Sequence, residues 1–110
     1  MPRRGRELVV ISWRDIPAQV NGRSADEKHQ VVLPRRFQKA IDDAAMVAGK
    51  KTASEYVGQW RRSSLAIAAD DPLDTSAARE AARLEQEFPR ERLAQFVANG
   101  GYDPEGVSPS

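Results

Sequence analysis

The residues that could perform acid–base or nucleophilic chemistry are few and poorly placed for it. His29 is the one histidine, and its neighbours Lys28 and Gln30 supply no carboxylate that would orient its ring. The chain has no cysteine, which excludes thiolate nucleophiles, disulfides and zinc–thiolate sites. The serines stand in no nucleophile-elbow pattern, and the glycines form no phosphate-binding loop. We therefore expect a protein that is not an enzyme and has no catalytic residue, metal or cofactor.

Two pairs of adjacent carboxylates are the remaining candidates for a metal site. Neighbouring residues of a helix point about 100° apart, so Asp42 and Asp43 would not face one ion. Asp43 follows Lys39 by one helical turn, which predicts a surface ion pair. Asp70 and Asp71 precede a proline, and this pattern predicts the N-terminal cap of a helix. Neither pair indicates a metal centre.

Aromatic and arginine side chains are combined at two places in a way that is typical of protein interfaces. Trp13 is followed by Arg14 and Asp15, and Trp60 by Arg61. The first segment has two interpretations: it is a recognition surface, or Trp13 closes the core while Arg14 and Asp15 pair at its rim.

Two further arginines, Arg35 and Arg36, fall in the first turn of a helix predicted to begin at Pro34. Their charges oppose the helix dipole at a cost of about 0.3–1 kcal/mol each. With the free backbone N–H groups they could hold an anion, or they could pair with acids of the C-terminal half. We predict a surface that binds another protein, made of Trp13, Arg14, Asp15, Arg35, Arg36, Trp60 and Arg61.

Charge is spread unevenly along the chain of 110 residues, although its net value is only +1. The part that ends at Arg61 carries +5 and the remainder −4. Either the basic half meets an anionic partner, or the two halves attract each other within one fold. Mean hydropathy is −0.62, and no apolar run approaches the roughly 20 residues of a membrane span. We expect a cytoplasmic protein that contacts no membrane.

The first elements of the chain that position these residues are predicted to be strands. Leu8–Ile11 is a continuous apolar run, which predicts a central strand. Ile16–Val20 predicts a second extended segment, with Pro17 at a strand start or an edge. Asn21–Gly22 predicts a turn, which the polar stretch Arg23–Glu27 lengthens, and Lys28–Leu33 predicts a further strand. Val20 before the turn and Val31 after it predict an antiparallel hairpin.

Helical periodicity begins after Leu33. The sequence predicts a helix from Pro34 to Gly49 and a second helix that begins with a capping box at Thr52–Glu55 and continues to Trp60. A short strand is predicted at Ser64–Ala69. Two further helices are predicted, one that begins at Asp71–Pro72 and one from Pro89 to Asn99. The inner side of the second helix is predicted to carry Ala53, Tyr56, Val57 and Trp60. This order predicts an α+β fold, a short antiparallel sheet from the N-terminal half packed against about four helices. The domain would span residues 7–102, between a flexible basic tail (1–6) and a flexible polar tail (103–110).

Four blocks of sequence carry a resemblance to a known family: Trp13–Val20, Leu33–Asp42, Ala44–Met46 and Tyr56–Arg62. From Val9 to Arg62 the chain resembles the bacterial "virulence factor" domain family. That domain also forms part of the conserved virulence factor C proteins of some Gram-positive bacteria, and small stand-alone members accompany corrinoid and one-carbon methyltransfer genes in proteobacteria. The family brings no established reaction or catalytic residue. The resemblance therefore implies a link to those systems but names no reaction. The missing catalytic set and the aromatic and arginine residues are what predict a protein-binding or accessory module.

A second, local resemblance supplies the alternative. Gln30–Pro34, followed by the two predicted helices, is similar to ribbon-helix-helix repressors, which pair strands across a dimer and lay them in the DNA major groove. The resemblance implies a DNA-binding regulator with contacts from Lys28, Gln30, Val32, Lys50 and Lys51. It predicts a dimer and steep salt dependence. Val32 stands where that family offers a polar side chain, and His29 falls on the core face, so we favour protein binding.

Overall fold

An antiparallel sheet of four strands, covered on one face by helices, forms the framework of the molecule, which confirms the predicted α+β class. A computed structural model describes residues 7–50, 52–67 and 71–105. The elements in chain order are β1 (Glu7–Trp13), β2 (Ile16–Arg23), β3 (Lys28–Val32), α1 (Arg35–Val47), α2 (Ala53–Val57), β4 (Trp60–Leu65), α3 (Leu73–Glu87) and α4 (Arg90–Ala98). None of the described helices is both long and apolar enough to pass through a bilayer.

The strand order is β3-β2-β1-β4, so the apolar run Leu8–Ile11 lies in a central strand, as predicted. Val10 pairs with Val20 and faces the helices. Ser12 pairs with Pro17, whereas Ile11 pairs with Gln19, so one residue of β2 bulges out of the ladder. Pro17 therefore stands near the start of β2, beside a bulge, where its missing N–H is tolerated.

The predicted antiparallel hairpin is confirmed, because Val20 pairs with Val31. Its turn is shorter than predicted, because Asn21 and Gly22 belong to β2. The chain reverses at Ser24–Glu27, where the Ser24 hydroxyl accepts hydrogen bonds from the N–H groups of Asp26 and Glu27 at 3.2 and 3.1 Å. Gly22 has a packing reason: a Cβ at this position would lie 3.1 Å from Cγ of Leu73. The Leu73 side chain, at the start of α3, packs against the strand at this point, and a larger residue would have to push it aside by a few tenths of an ångström.

The core lies between the sheet and the helices, and the helical stripes fill it largely as predicted. Phe37, Ile41, Ala44 and Ala45 of α1 are buried, and so are Leu73, Ala77, Ala81, Leu84 and Phe88 of α3 and its end. Gly49 has a φ of +75° and ends α1 as expected.

The second predicted helix is shorter than expected. Its capping box at Thr52 and Glu55 is present, but α2 ends at Val57. Trp60 starts β4, four residues before the predicted strand, and pairs with Trp13. The open edge of β1 thus takes Trp60–Leu65 into the sheet, and this pairing outweighs the helical pattern. Ala53 and Val57 are exposed, whereas Tyr56 and Trp60 pack against the core. Of the predicted strand Ser64–Ala69, only Ser64 and Leu65 belong to β4; Ala66 and Ile67 lie beyond its end, and Ala68–Ala69 lie outside the described residues.

The start of α3 also differs from the prediction. Pro72, not Asp71, is the N-cap residue, and no side chain caps this end. Asp71 accepts a hydrogen bond from Arg79 at 3.3 Å, and Asp70 lies outside the described residues. The predicted basic tail, 1–6, lies outside them as well. The predicted polar tail begins with Asp103, whose N–H donates to Oδ2 of Asp15 at 2.9 Å.

Candidate binding surfaces

The candidate groups for catalysis are dispersed over the fold. His29 is half-exposed on β3, with its Nε2 3.7 Å from a carboxylate oxygen of Glu27. Asp43 bonds Lys39 at 3.0 Å, as predicted, while Asp42 accepts a bond from Gln38 at 2.9 Å. In the described ranges, no three His, Cys, Asp or Glu side chains lie close enough to hold a metal ion.

Trp13 lies in the core with no exposed surface. Its Nε1 donates to the Tyr56 carbonyl at 2.8 Å, and its ring stacks on that of Tyr56 with 5.7 Å between centroids. Of the two interpretations of this segment, core closure therefore describes Trp13. A partner protein therefore cannot contact Trp13 directly and would contact the residues around it.

Arg14 forms the turn between β1 and β2 with a φ of +53°, a conformation that is unusual for a residue other than glycine. Its Nε donates to the Gln59 side chain at 3.0 Å, and its Nη1 donates to the Gly100 carbonyl at 2.9 Å. The guanidinium lies 4.5 Å from the Tyr102 ring centroid. Arg14 thus joins the turn to the α2–β4 connection and to the chain that follows α4.

Asp15 and Arg61 complete this region, which we call the hairpin corner (Trp13, Arg14, Asp15, Arg61 and Tyr102). Oδ1 of Asp15 accepts from Arg61 at 3.3 Å, and Arg61 lies 5.6 Å from the Tyr102 ring centroid. Arg14 and Asp15 each bond to other segments of the chain. The hairpin corner therefore serves to hold the fold together.

Arg36 contacts the C-terminal half, as one of the two interpretations expected, but it bonds to backbone and not to acids. Nε donates to the carbonyl of Phe88 at 3.2 Å and Nη2 to that of Glu85 at 2.8 Å. The last carbonyl groups of a helix lack partners within the helix and carry partial negative charge. Arg36 therefore caps the C-terminal end of α3.

Arg35 lies in a different place, a groove between α1 and α4. The two helices run side by side in the same direction: Arg36 contacts the chain just before α4, and the end of α1 at Ala48 approaches Gly100. The groove has a volume of about 440 Å³. We call it the α1–α4 groove; its lining is Arg35, Arg36, Lys39, Ala40, Asp43, Arg90, Leu93, Ala94 and Val97.

The charges of the α1–α4 groove are positive and partly unmatched. Lys39 is paired with Asp43 at 3.0 Å. Arg35 and Arg90 are exposed and make no ion pair or hydrogen bond with another residue in the described ranges. Each is the first residue of its helix, and neither helix has a side-chain cap. The positive ends of two helix dipoles therefore add to two free guanidinium groups.

The predicted partner-binding residues thus occupy two regions. Trp13, Trp60 and the hairpin corner lie near the end of α1, whereas Arg35 and Arg36 lie at its start. Because α1 has 13 residues, the regions are about 20 Å apart. Sequence reasoning did not single out Arg90, although a signal was present: Pro89–Arg90 repeats the Pro34–Arg35 start of α1.

The residues of the DNA-binding alternative show the predicted alternation on β3. Lys28, Gln30 and Val32 are exposed, while His29 and Val31 are partly covered. However, β3 pairs with β2 of its own chain inside a four-stranded sheet, whereas the repressors that this segment resembles pair their strands across a dimer. Lys50 follows α1, and Lys51 lies outside the described residues.

Comparisons with known proteins give a family but no individual relative. Neither curated proteins nor solved structures provide a match to this chain. A family model described as "Virulence factor" matches residues 11–97, which is well over half of the sequence and includes every element from β2 to α3. The chain therefore belongs to the virulence factor family.

Proposed function

We propose that this chain is a protein-binding module, and that the α1–α4 groove receives an acidic amphipathic helix of a partner protein. The observation that carries the proposal is the combination of an apolar floor with two unpaired arginines at one end. Partner helices commonly lay an apolar face into a groove of this kind, with anchors spaced by three and four residues.

The floor of the groove suits a helix. It consists of Ala40, Leu93, Ala94 and Val97, and its two alanines leave room for another backbone to approach. Two parallel helices also present ridges and a valley between them, into which a third helix can pack. Apolar side chains of the partner would be removed from water here, which favours binding by roughly 25 cal/mol for each Å² buried.

The positive charges of the groove favour a partner helix that carries negative charge. Arg35 and Arg90 stand free at the start of both helices, and the one acid in the lining, Asp43, is paired with Lys39. A carboxylate of the partner near this end would meet both guanidinium groups and both helix N-termini. A basic partner helix would be repelled at the same place.

Site-specific photo-crosslinking in the native host tests the proposal. A crosslinking amino acid replaces exposed Ala94 in the groove, and the matched control replaces exposed Gln86 on α3. We expect an adduct from position 94 alone, and we expect the charge reversal Arg35→Glu/Arg90→Glu to remove it. Far-UV circular dichroism verifies that this variant is folded.

The captured segment decides the outcome. Mass spectrometry should locate the crosslink in an acidic, amphipathic helix; a basic or extended segment contradicts the proposal, as does an adduct that survives charge reversal or forms equally from position 86. The resemblance of the sequence further predicts that the partner belongs to a corrinoid or one-carbon methyltransfer system. The identity of the adduct tests that part separately.

A further inference from the structure

A second basic region lies on the sheet face that points away from the helices. It is a depression of about 390 Å³, which we call the sheet-face basin, lined by Asn21, Gly22, Arg23, Lys28, His29, Gln30 and Arg62. Its donor groups come from Arg62 and from two neighbouring pairs, Asn21–Gln30 and Arg23–Lys28. We infer that the sheet-face basin binds a ligand that carries a diphosphate group. This site is separate from the α1–α4 groove and goes beyond the proposed function.

The strand register brings these side chains together. Arg23 pairs with Lys28, and Asn21 pairs with Gln30, so the two pairs are successive rows of one face. Gly22, between them, points to the other face and approaches Leu73 of α3.

Arg62 reaches the basin from the far side of the sheet. It lies on β4 and pairs with Ile11 of β1, so one strand separates it from β2. Because neighbouring strands are about 4.8 Å apart, its side chain must extend over β1 to line the basin with Asn21 and Gln30. This also accounts for Val9, which lies on the open face between these residues but is only 2% exposed.

The positive charges of the basin are only partly neutralised. Arg23 is paired with Glu7 at 2.9 Å. Lys28 and Arg62 are exposed and make no ion pair with the described part of the chain. His29 pairs with Gly22 and so belongs to the other face of the sheet, where its Nε2 is 3.7 Å from Glu27. An anion in the basin would therefore meet one ammonium and one guanidinium that have no ion-pair partner among the described residues.

Amide groups complete the set of donors. Gln19 donates its Nε2 to Oδ1 of Asn21 at 3.1 Å, which leaves the Asn21 NH₂ group free to donate into the basin. Gln30 is exposed beside it. Cationic and amide N–H groups from several directions are the donors that phosphate oxygens accept most strongly. Two separated cations with two amides match two linked phosphate groups better than one.

The same face argues against nucleic acid as the ligand. Binding of single strands relies on exposed aromatic rings that stack on bases, and no Phe, Tyr or Trp side chain is among the described residues that line the basin. The donors therefore recognise a phosphate group and not a base.

Isothermal titration calorimetry on the full chain tests the inference with pyrophosphate, ADP and sulfate as probes. We expect pyrophosphate and ADP to bind with similar affinity, and sulfate to bind about tenfold more weakly or worse. Arg62→Gln and Lys28→Gln should each weaken pyrophosphate binding by about tenfold. The matched control Arg79→Gln, at an exposed position of α3 outside both surfaces, should leave it unchanged.

Amide chemical shifts in the presence of pyrophosphate locate the site. Changes should concentrate at residues 21–30 and 62. No saturable binding, equal affinity for sulfate, or a loss of binding caused by Arg79→Gln would each overturn the inference. Binding of ADP without pyrophosphate would also overturn it, because the ligand would then be recognised by its nucleoside.

Discussion

At the scale of single residues, Arg14 of the hairpin corner combines a strained backbone conformation with side-chain hydrogen bonds to distant segments. A positive φ costs an ordinary residue on the order of 1–2 kcal/mol. Arg14 accepts this conformation because its guanidinium bonds to Gln59 and Gly100 and lies over Tyr102. A glycine would relieve the strain but would lose these contacts.

This balance gives a prediction for two substitutions of Arg14. Arg14→Ala removes the side-chain contacts and keeps the strain, so it should destabilise the protein by about 2–3 kcal/mol. Arg14→Gly removes the same contacts and also the strain, and should cost about 1 kcal/mol less than the alanine variant. Urea unfolding followed by circular dichroism measures both. Equal stability of the two variants would show that the turn is not strained.

At the scale of elements, two neighbouring arginines of α1 have different roles, one in the framework and one on the surface. Arg36 donates to the carbonyls of Glu85 and Phe88 and so joins the start of α1 to the end of α3. Arg35 points into the α1–α4 groove and bonds to no residue in the described ranges. Adjacent positions of a helix differ in direction by about 100°, which is enough to separate a structural role from a surface role.

We therefore predict different stabilities for the two alanine variants. Arg36→Ala should lower the free energy of unfolding by about 1–2 kcal/mol, because two carbonyl groups at the end of α3 lose their donor. Arg35→Ala should stay within about 0.5 kcal/mol of the wild type, as surface substitutions usually do. Thermal and urea unfolding of the two variants, side by side, is the measurement. A large loss from Arg35→Ala would place this residue in the framework and weaken the proposed groove.

Local signals predicted the elements well where one physical cause dominates. The apolar run at Leu8–Ile11 gave a central strand, and the capping box at Thr52 gave the start of α2. The pattern failed where a distant segment intervened: Leu73 determines the role of Gly22, and the edge of β1 draws Trp60 into a strand. The α1–α4 groove was missed for the same reason, since Arg35 and Arg90 meet only through the packing of two helices far apart in sequence.

At the scale of the whole molecule, the basic and the acidic half of the chain form separate ion pairs among the described residues. The ion pairs resolved among the described residues join groups of the same half: Glu7–Arg23, Glu27–His29, Lys39–Asp43, Asp15–Arg61, Asp71–Arg79, and Arg83 with Glu80 and Glu87. None of these pairs joins the basic half to the acidic half. Lys28 and Arg35 of the basic half, and Arg62 just beyond it, make no ion pair among the described residues; Lys28 and Arg62 lie on the open face of the sheet and Arg35 on the helix side.

This placement predicts that the α1–α4 groove and the sheet-face basin act independently. The sheet lies between them, and effects of substitutions that share no partner usually add within about 0.5 kcal/mol. Arg35→Glu/Arg90→Glu should abolish the partner crosslink and leave the affinity for pyrophosphate unchanged. Lys28→Gln/Arg62→Gln should do the reverse. Crosslinking in the presence of saturating pyrophosphate should give the same yield as without it; a changed yield would show that the two surfaces are coupled through the sheet.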